Sequence, residues 1–339
     1  MVQKNIVILI SFFIFYECSI AQEPQDSLQE KQIKQVKERF PKTSLLNFDI
    51  SESLNRNFSS EFLNQNLNDG VITNQRNYIF STNIPLYKKV GWELSTFLSY
   101  QFNQFKFQNL QNNSSFEGVP VLFEQDNTVN FHYLSAEFTA EYFTYLFKKL
   151  PIKLTVSAIA DSNEQHLGRI KGSLGFLLFL KGTNRTLIGL GALGNIDSSS
   201  QNPVLPLFLY KHQFRDLRWE LIFLLPRMLY LRKLMGEKGR LSLGSTFGSD
   251  VLYVNSNHQS LVNLLEYNQL ELKAGLLYEH RFNDFLVGKL EAGVHKVFNS
   301  ILLEKGAAAS NYIYENRQDA TTYFKLGISI NPFANKTSN

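Results

Sequence analysis

The stretch Thr321-Thr-Tyr-Phe-Lys-Leu-Gly-Ile-Ser-Ile-Asn-Pro-Phe333 decides how this chain reads. Phe324, Leu326, Ile328 and Ile330 fall on every second position, with Tyr323, Lys325, Gly327, Ser329 and Asn331 between them. Side chains of a strand alternate between its two faces, so the pattern makes one apolar face and one polar face.

The same alternation recurs upstream. Trp92, Leu94, Leu98, Tyr100 and Phe102 oppose Glu93, Ser95, Ser99 and Gln101. Leu134, Ala136, Phe138, Ala140 and Tyr142 oppose Ser135, Glu137, Thr139 and Glu141. Ile152 to Ala160, Leu270 to Tyr278 and Gly288 to Val294 repeat it, with Lys153, Glu271, Lys273, Lys289, Glu291 and His295 on the polar face.

Between the strands the connections sort into two classes. Lys88–Gly91, Lys148–Pro151, Lys181–Asn184, Phe214–Asp216, Gly236–Gly239 and Arg281–Asp284 are short and rich in turn-forming residues. Leu54–Thr73, Gln108–Asn127, Asp161–Leu167, Asn195–Pro203, Asn255–Leu264 and Glu304–Ala320 are mostly longer and polar. The classes alternate along the chain, as short periplasmic turns and longer outer loops do in outer-membrane barrels. The count is about fourteen strands. It falls to twelve if Leu217 to Met235, interrupted by Pro226, is not a pair.

A soluble β-sandwich also alternates, with its polar face outward. Three features favour the membrane. Several strands match the ~9–11 residues needed to cross a bilayer rather than the ~5–6 usual in globular proteins. Aromatics (Trp92, Phe102, Tyr142, Tyr278) stand near strand ends, where the interfaces would lie. The turns also sort by parity. The expected fold is therefore all-β, a closed transmembrane antiparallel barrel, because backbone groups in lipid must be paired internally.

The N-terminus reads as a secretory signal over 1–21. Lys4 supplies the positive region, Ile6 to Tyr16 the apolar region, and Ser19-Ile20-Ala21 the small residues before a cut. Residues 22–43 are polar and read as a periplasmic arm, 44–333 as the barrel and 334–339 as a tail. Cys18 is the only cysteine and Glu17 precedes it, against lipidation. A mature chain without cysteine excludes disulfides and cysteine-based sites. The formal net charge of +4 is scattered, which argues against nucleic-acid binding.

With closing strand, signal and loop parity together, the chain resembles outer-membrane β-barrel proteins of Bacteroidetes-type bacteria, in particular families of unknown function. The stretch Pro203 to Pro226 carries most of the resemblance. Lys325, Gly327 and Ile330 match the assembly signal of a closing strand, whereas Pro332 departs from it. The resemblance implies outer-membrane lipid and the barrel-assembly machinery as partners.

Alternation predicts a lumen of both signs: Glu93, Glu137, Glu141, Glu220, Glu271, Glu279 and Glu291 against Lys153, Arg169, Lys171, Arg218, Lys273, Lys289 and Lys325, with His295 beside them. Equal numbers of acids and bases favour internal pairing, since unpaired charges in a restricted lumen are costly. No His-Glu-x-x-His, Gly-x-Ser-x-Gly or phosphate loop occurs, so no metal, cofactor or catalytic residue is expected. The expected function is porin-like passage of small solutes. A lumen-filled structural or partner-binding barrel and a lipid-modifying enzyme are the alternatives.

Overall fold

The computed structural model describes residues 45–62, 65–112, 128–147, 149–183, 185–216, 218–236, 238–255, 264–283 and 285–330. The expected signal, arm and tail lie outside them. Sixteen segments form one sheet: β1 (Leu46–Ser53), β2 (Arg56–Phe62), β3 (Gln65–Lys89), β4 (Trp92–Asn112), β5 (Thr128–Leu146), β6 (Leu150–Ser162), β7 (Leu167–Gly182), β8 (Thr186–Ile196), β9 (Val204–Gln213), β10 (Trp219–Leu225), β11 (Met228–Met235), β12 (Gly239–Asn255), β13 (Leu264–Arg281), β14 (Leu286–Glu304), β15 (Tyr314–Gln318) and β16 (Thr321–Ile330).

The segments make fourteen wall strands. β1 and β2 both pair with β3 in one continuous register, Ser53↔Gln75 below the break and Arg56↔Ile72 above it. β15 and β16 likewise keep one register against the first strand, Gln318↔Phe58 and Tyr323↔Ser53. Each pair is therefore one strand with a local interruption. Every neighbour is antiparallel, and β16 pairs with both β1 and β14, so the barrel closes on itself. Trp219 to Met235 is a true pair: β10 and β11 are joined at Pro226–Arg227, so the proline stands in a turn and costs no ladder bond.

The six short connections all lie at one end, with the first and last wall residues. The opposite end departs from expectation. Leu54–Thr73 is not a loop but β2 and the first nine residues of β3. Glu304–Ala320 contains β15, and β4 runs to Asn112 inside the expected 108–127 loop. The polar composition of these segments belongs to strands that rise beyond the lipid.

Their faces show why. On β16, Phe324, Leu326 and Ile328 are exposed to the outside while Tyr323 and Ser329 are buried. On β5, Leu134, Ala136, Phe138, Ala140 and Tyr142 face outward over eight residue steps. That is about 27 Å along the strand and about 20 Å along the normal at ~40° tilt, close to the apolar band of a bacterial barrel. Above Leu134 the pattern reverses. Thr128, Asn130 and His132 now face outward, and Val129, Phe131 and Tyr133 pack inside. β4 reverses at the same level: Gln104 and Lys106 face out, Phe105 and Phe107 are buried. The barrel leaves the lipid here and becomes water-soluble outside and apolar within.

Candidate functional site

The reversal places two apolar clusters inside the outer mouth. Phe58, Ile72, Phe105, Phe107 and Leu252 form one, and Leu67, Leu265, Leu302 and Tyr314 the other; Tyr267 packs against both. Leu252 and Leu265 reach Phe105 and Leu67 because the tips of β12 and β13 leave the wall on their β11 side, while β14 stays paired with β15. β11 pairs with β12 only as far as Met228↔Thr246, with one further bond from Phe247 N to the Arg227 carbonyl, so among the described residues Gly248–Asn255 has β13 as its ladder partner. β9, β10 and β11 are short and form a low wall on that side. The tip leans across the mouth, and both its faces are buried: Leu252 and Leu265 on one, Tyr253 and Glu266 on the other.

The first face meets β4, where Leu252 packs with Phe105 and Phe107 and Gln101 Nε2 donates to Asp250 at 3.0 Å; on the second face the rings of Tyr133 and Tyr253 stack at 6.2 Å. The second face meets the wall of β6 to β8 through ions. Arg169 pairs with Asp197 at 2.7 Å and Glu266 at 3.2 Å; Lys171 pairs with Asp161 at 3.1 Å and Glu266 at 3.3 Å. Tyr253 and Tyr133 hydroxyls donate to Asp161, and Ser199 Oγ donates to Glu266 at 2.6 Å. Three acids thus face two bases, and the hydroxyls take up the excess negative charge.

Beneath the tip, hydrogen bonds connect Ser53 to His295 Nδ1 at 3.1 Å and His295 Nε2 to Glu271 at 2.8 Å; Glu271 also holds Lys273. Nearer the turn end, Lys153 binds Glu141 at 2.6 Å, Glu220 binds Lys211 and Arg232, and Arg240 binds Glu279. Lys325 binds Asp49 at 3.4 Å, Lys289 reaches Asn47, and Tyr323 donates to Glu291. Glu137 accepts from Thr139, and Glu93 stands opposite Glu141. Of the sequence-derived charges, only Arg218 falls elsewhere. It occupies the exposed turn before β10, because that strand begins one residue later, at Trp219.

Sequence reasoning missed Asp161, Asp197, Asp250 and Glu266, which hold the mouth closed, and Arg56, which bonds Gln75 and Gln318 on the neighbouring strands. Arg56 was inside an expected loop, and Asp161 and Asp197 at the edges of two others. A signal was present in Phe58, Ile72, Phe105 and Phe107, apolar residues set among polar ones.

The wall itself is interrupted once at this height. β14 pairs with the last strand at His295↔Thr321 and again at Ile301↔Glu315, but not between. Lys296 Nζ donates to the Gln318 carbonyl at 2.7 Å, filling a missing ladder bond.

No protein-family model and no curated protein matches the chain. Among solved structures, an outer membrane channel from Pseudomonas putida F1 aligns with 86% of this chain and 97% of its own at 9% identity and TM-score 0.38. The P. putida toluene transporter TodX aligns with 85% and 90% at 9% identity and TM-score 0.30. The Escherichia coli outer membrane protease OmpT aligns with 84% and 96% at 9% identity and TM-score 0.29. Likeness at this level leaves the interpretation to the chain's own geometry. A closed barrel with an apolar outer band has one natural solvent. The chain is an outer-membrane β-barrel.

Proposed function

We propose that this barrel is a gated channel for small solutes, with the β12–β13 tip as the gate. One observation carries the reading. The wall strands are held by backbone ladders, whereas the tip is held to the far wall by side chains, chiefly Arg169, Lys171, Asp161, Asp197 and Glu266. Side-chain contacts can be exchanged for water at far lower cost than ladder bonds can be broken in lipid. The paired charges below would line the path once the tip lifts.

Planar-bilayer recording tests this. The wild type is expected to show brief, infrequent openings. A variant with Asn163→Cys and Asn255→Cys, whose native side chains bond at 2.9 Å between β6–β7 and the tip, is expected to fall silent when bridged by a short bis-maleimide. Silence of the wild type under all voltages and salts would instead favour the lumen-filled structural barrel.

A further inference from the structure

The exposed charge of the barrel is gathered at one end. Each of the six short turns carries an exposed cation: Lys89, Lys149, Lys181, Arg215, Lys238 and Arg281. Lys88, Arg185 and Arg218 add a second on three of them. The acids of these turns are fewer: Asp216, Glu237 and Asp284. At the opposite end the exposed cations Arg76 and Arg317 are held by Glu52 at 3.3 Å and Glu315 at 3.2 Å. Among the described residues no such ion pair neutralises the cations of the turns. In sequence these bases look scattered because the turns lie far apart along the chain. Closing the barrel collects them on one rim.

The same turns expose apolar side chains. Val90, Phe147, Leu180, Phe214, Met235 and Phe282 stand beside those cations in sequence, and all are exposed. On the outer face just within the turns, the rings of Trp92 and Tyr142 lie 4.5 Å apart, and Lys233 Nζ stands over the Trp219 ring at 4.9 Å. Aromatic rings on an outer barrel face lie at the depth of the lipid headgroups, and the cation–π contact holds Lys233 at that depth. A soluble acidic partner would match the cations and leave the apolar tips uncovered. A leaflet rich in anionic phospholipid matches both, with phosphate beside the charges and acyl chain beside the tips.

We infer that the turn rim is a binding surface for anionic phospholipid and gathers a ring of such lipids around the barrel in the leaflet at that end. The lysines and arginines donate to the phosphate oxygens, and the apolar tips enter the upper acyl layer. The opposite end, where charges of both signs pair, has no such preference. This inference goes beyond the channel reading and does not depend on it.

Trp92 and Trp219 are the chain's two tryptophans, and each begins a strand at this rim. Their fluorescence therefore reports the lipid at the turn end alone. The full chain is reconstituted into phosphatidylcholine vesicles holding, at equal mole fraction, either brominated phosphatidylglycerol or brominated phosphatidylcholine, whose acyl chains quench tryptophan on contact. The wild type is expected to prefer the brominated phosphatidylglycerol about fivefold at low salt, the equivalent of ~1 kcal/mol for a cation near an anionic surface. The preference is expected to vanish in molar salt. The variant Lys88→Gln, Lys89→Gln, Arg218→Gln and Lys233→Gln is expected to lose it. The variant Arg76→Gln, Lys106→Gln, Lys305→Gln and Arg317→Gln, neutralised at the opposite end, is expected to keep it. Equal quenching by the two lipids in the wild type, or the same preference in both variants, overturns the surface. If the turn variant fails to insert, the salt series on the wild type decides, and a preference that survives molar salt overturns the surface. Equal quenching together with salt-sensitive binding of polyglutamate would assign the rim to an acidic soluble partner instead.

Discussion

The reversal of faces on β5 can be tested by moving one arginine along one strand. Phe138 and Asn130 both point outward and differ only in height. Phe138 lies four residues from Leu134 and four from Tyr142, at the centre of the apolar run. An arginine there meets the middle of the bilayer and is expected to cost about 2–4 kcal/mol. Asn130 lies four residues beyond Leu134, where its amide accepts from Gln104 at 3.2 Å. At ~3.3 Å per residue and ~40° tilt it stands about 20 Å from the midplane, outside the half-thickness of the apolar band, and the cost is about 0–1 kcal/mol. Each arginine variant is compared with alanine at the same position, so that the lost native side chain cancels. Urea titration in phosphatidylcholine vesicles, followed by Trp92 and Trp219 fluorescence and by gel mobility, reads both costs. The expected gap is about 2–3 kcal/mol. Equal penalties at the two heights would place Asn130 in lipid too, and the water-exposed extension would be refuted.

Three further perturbations follow from the mouth, all readable in the same titration. Phe107→Ala empties a fully buried position in the larger apolar cluster; it is expected to cost about 3–5 kcal/mol and raise channel open probability. Lys171→Met leaves one base against three acids and is expected to cost about 3–5 kcal/mol, whereas Glu266→Gln leaves two of each and costs distinctly less. Lys296→Met strips the Gln318 carbonyl of its donor at the unpaired stretch of wall and is expected to cost about 1–3 kcal/mol.

The wall was legible because period-two alternation is imposed by lipid on every spanning strand. Phe324, Leu326 and Ile328 show it as plainly in sequence as in space. The strand count was legible because turn chemistry at Gly91, Gly236 and Asn283 marks each return. Pro226 was ambiguous only because one residue decides between a broken strand and a hairpin. The mouth was not legible, for a physical reason. Phe58 and Ile72 keep the parity of outward-facing Phe48 and Phe80 yet lie inside, because the breaks between Ser53 and Arg56 and between Ile72 and Gln75 exchange the faces, so the apolar residues there are read as isolated ones in a polar loop. The ion partners were half legible. Lys171 and Arg169 announce a charged interior, but Glu266 meets them only because β13 bends, and no local pattern encodes that bend.

The bend and the reversal have one origin. A strand that outlasts the bilayer has water on both sides unless its inner face finds apolar cover. A fourteen-stranded ring is too wide for opposite walls to supply that cover by themselves. β12 and β13 supply it by leaning across the mouth, which the short β9, β10 and β11 permit by ending early. The lean buries a second face that would otherwise be outside, and that face must then be satisfied. Glu266, Tyr253 and Asn268 satisfy it against β6 to β8 and the connection that follows β8.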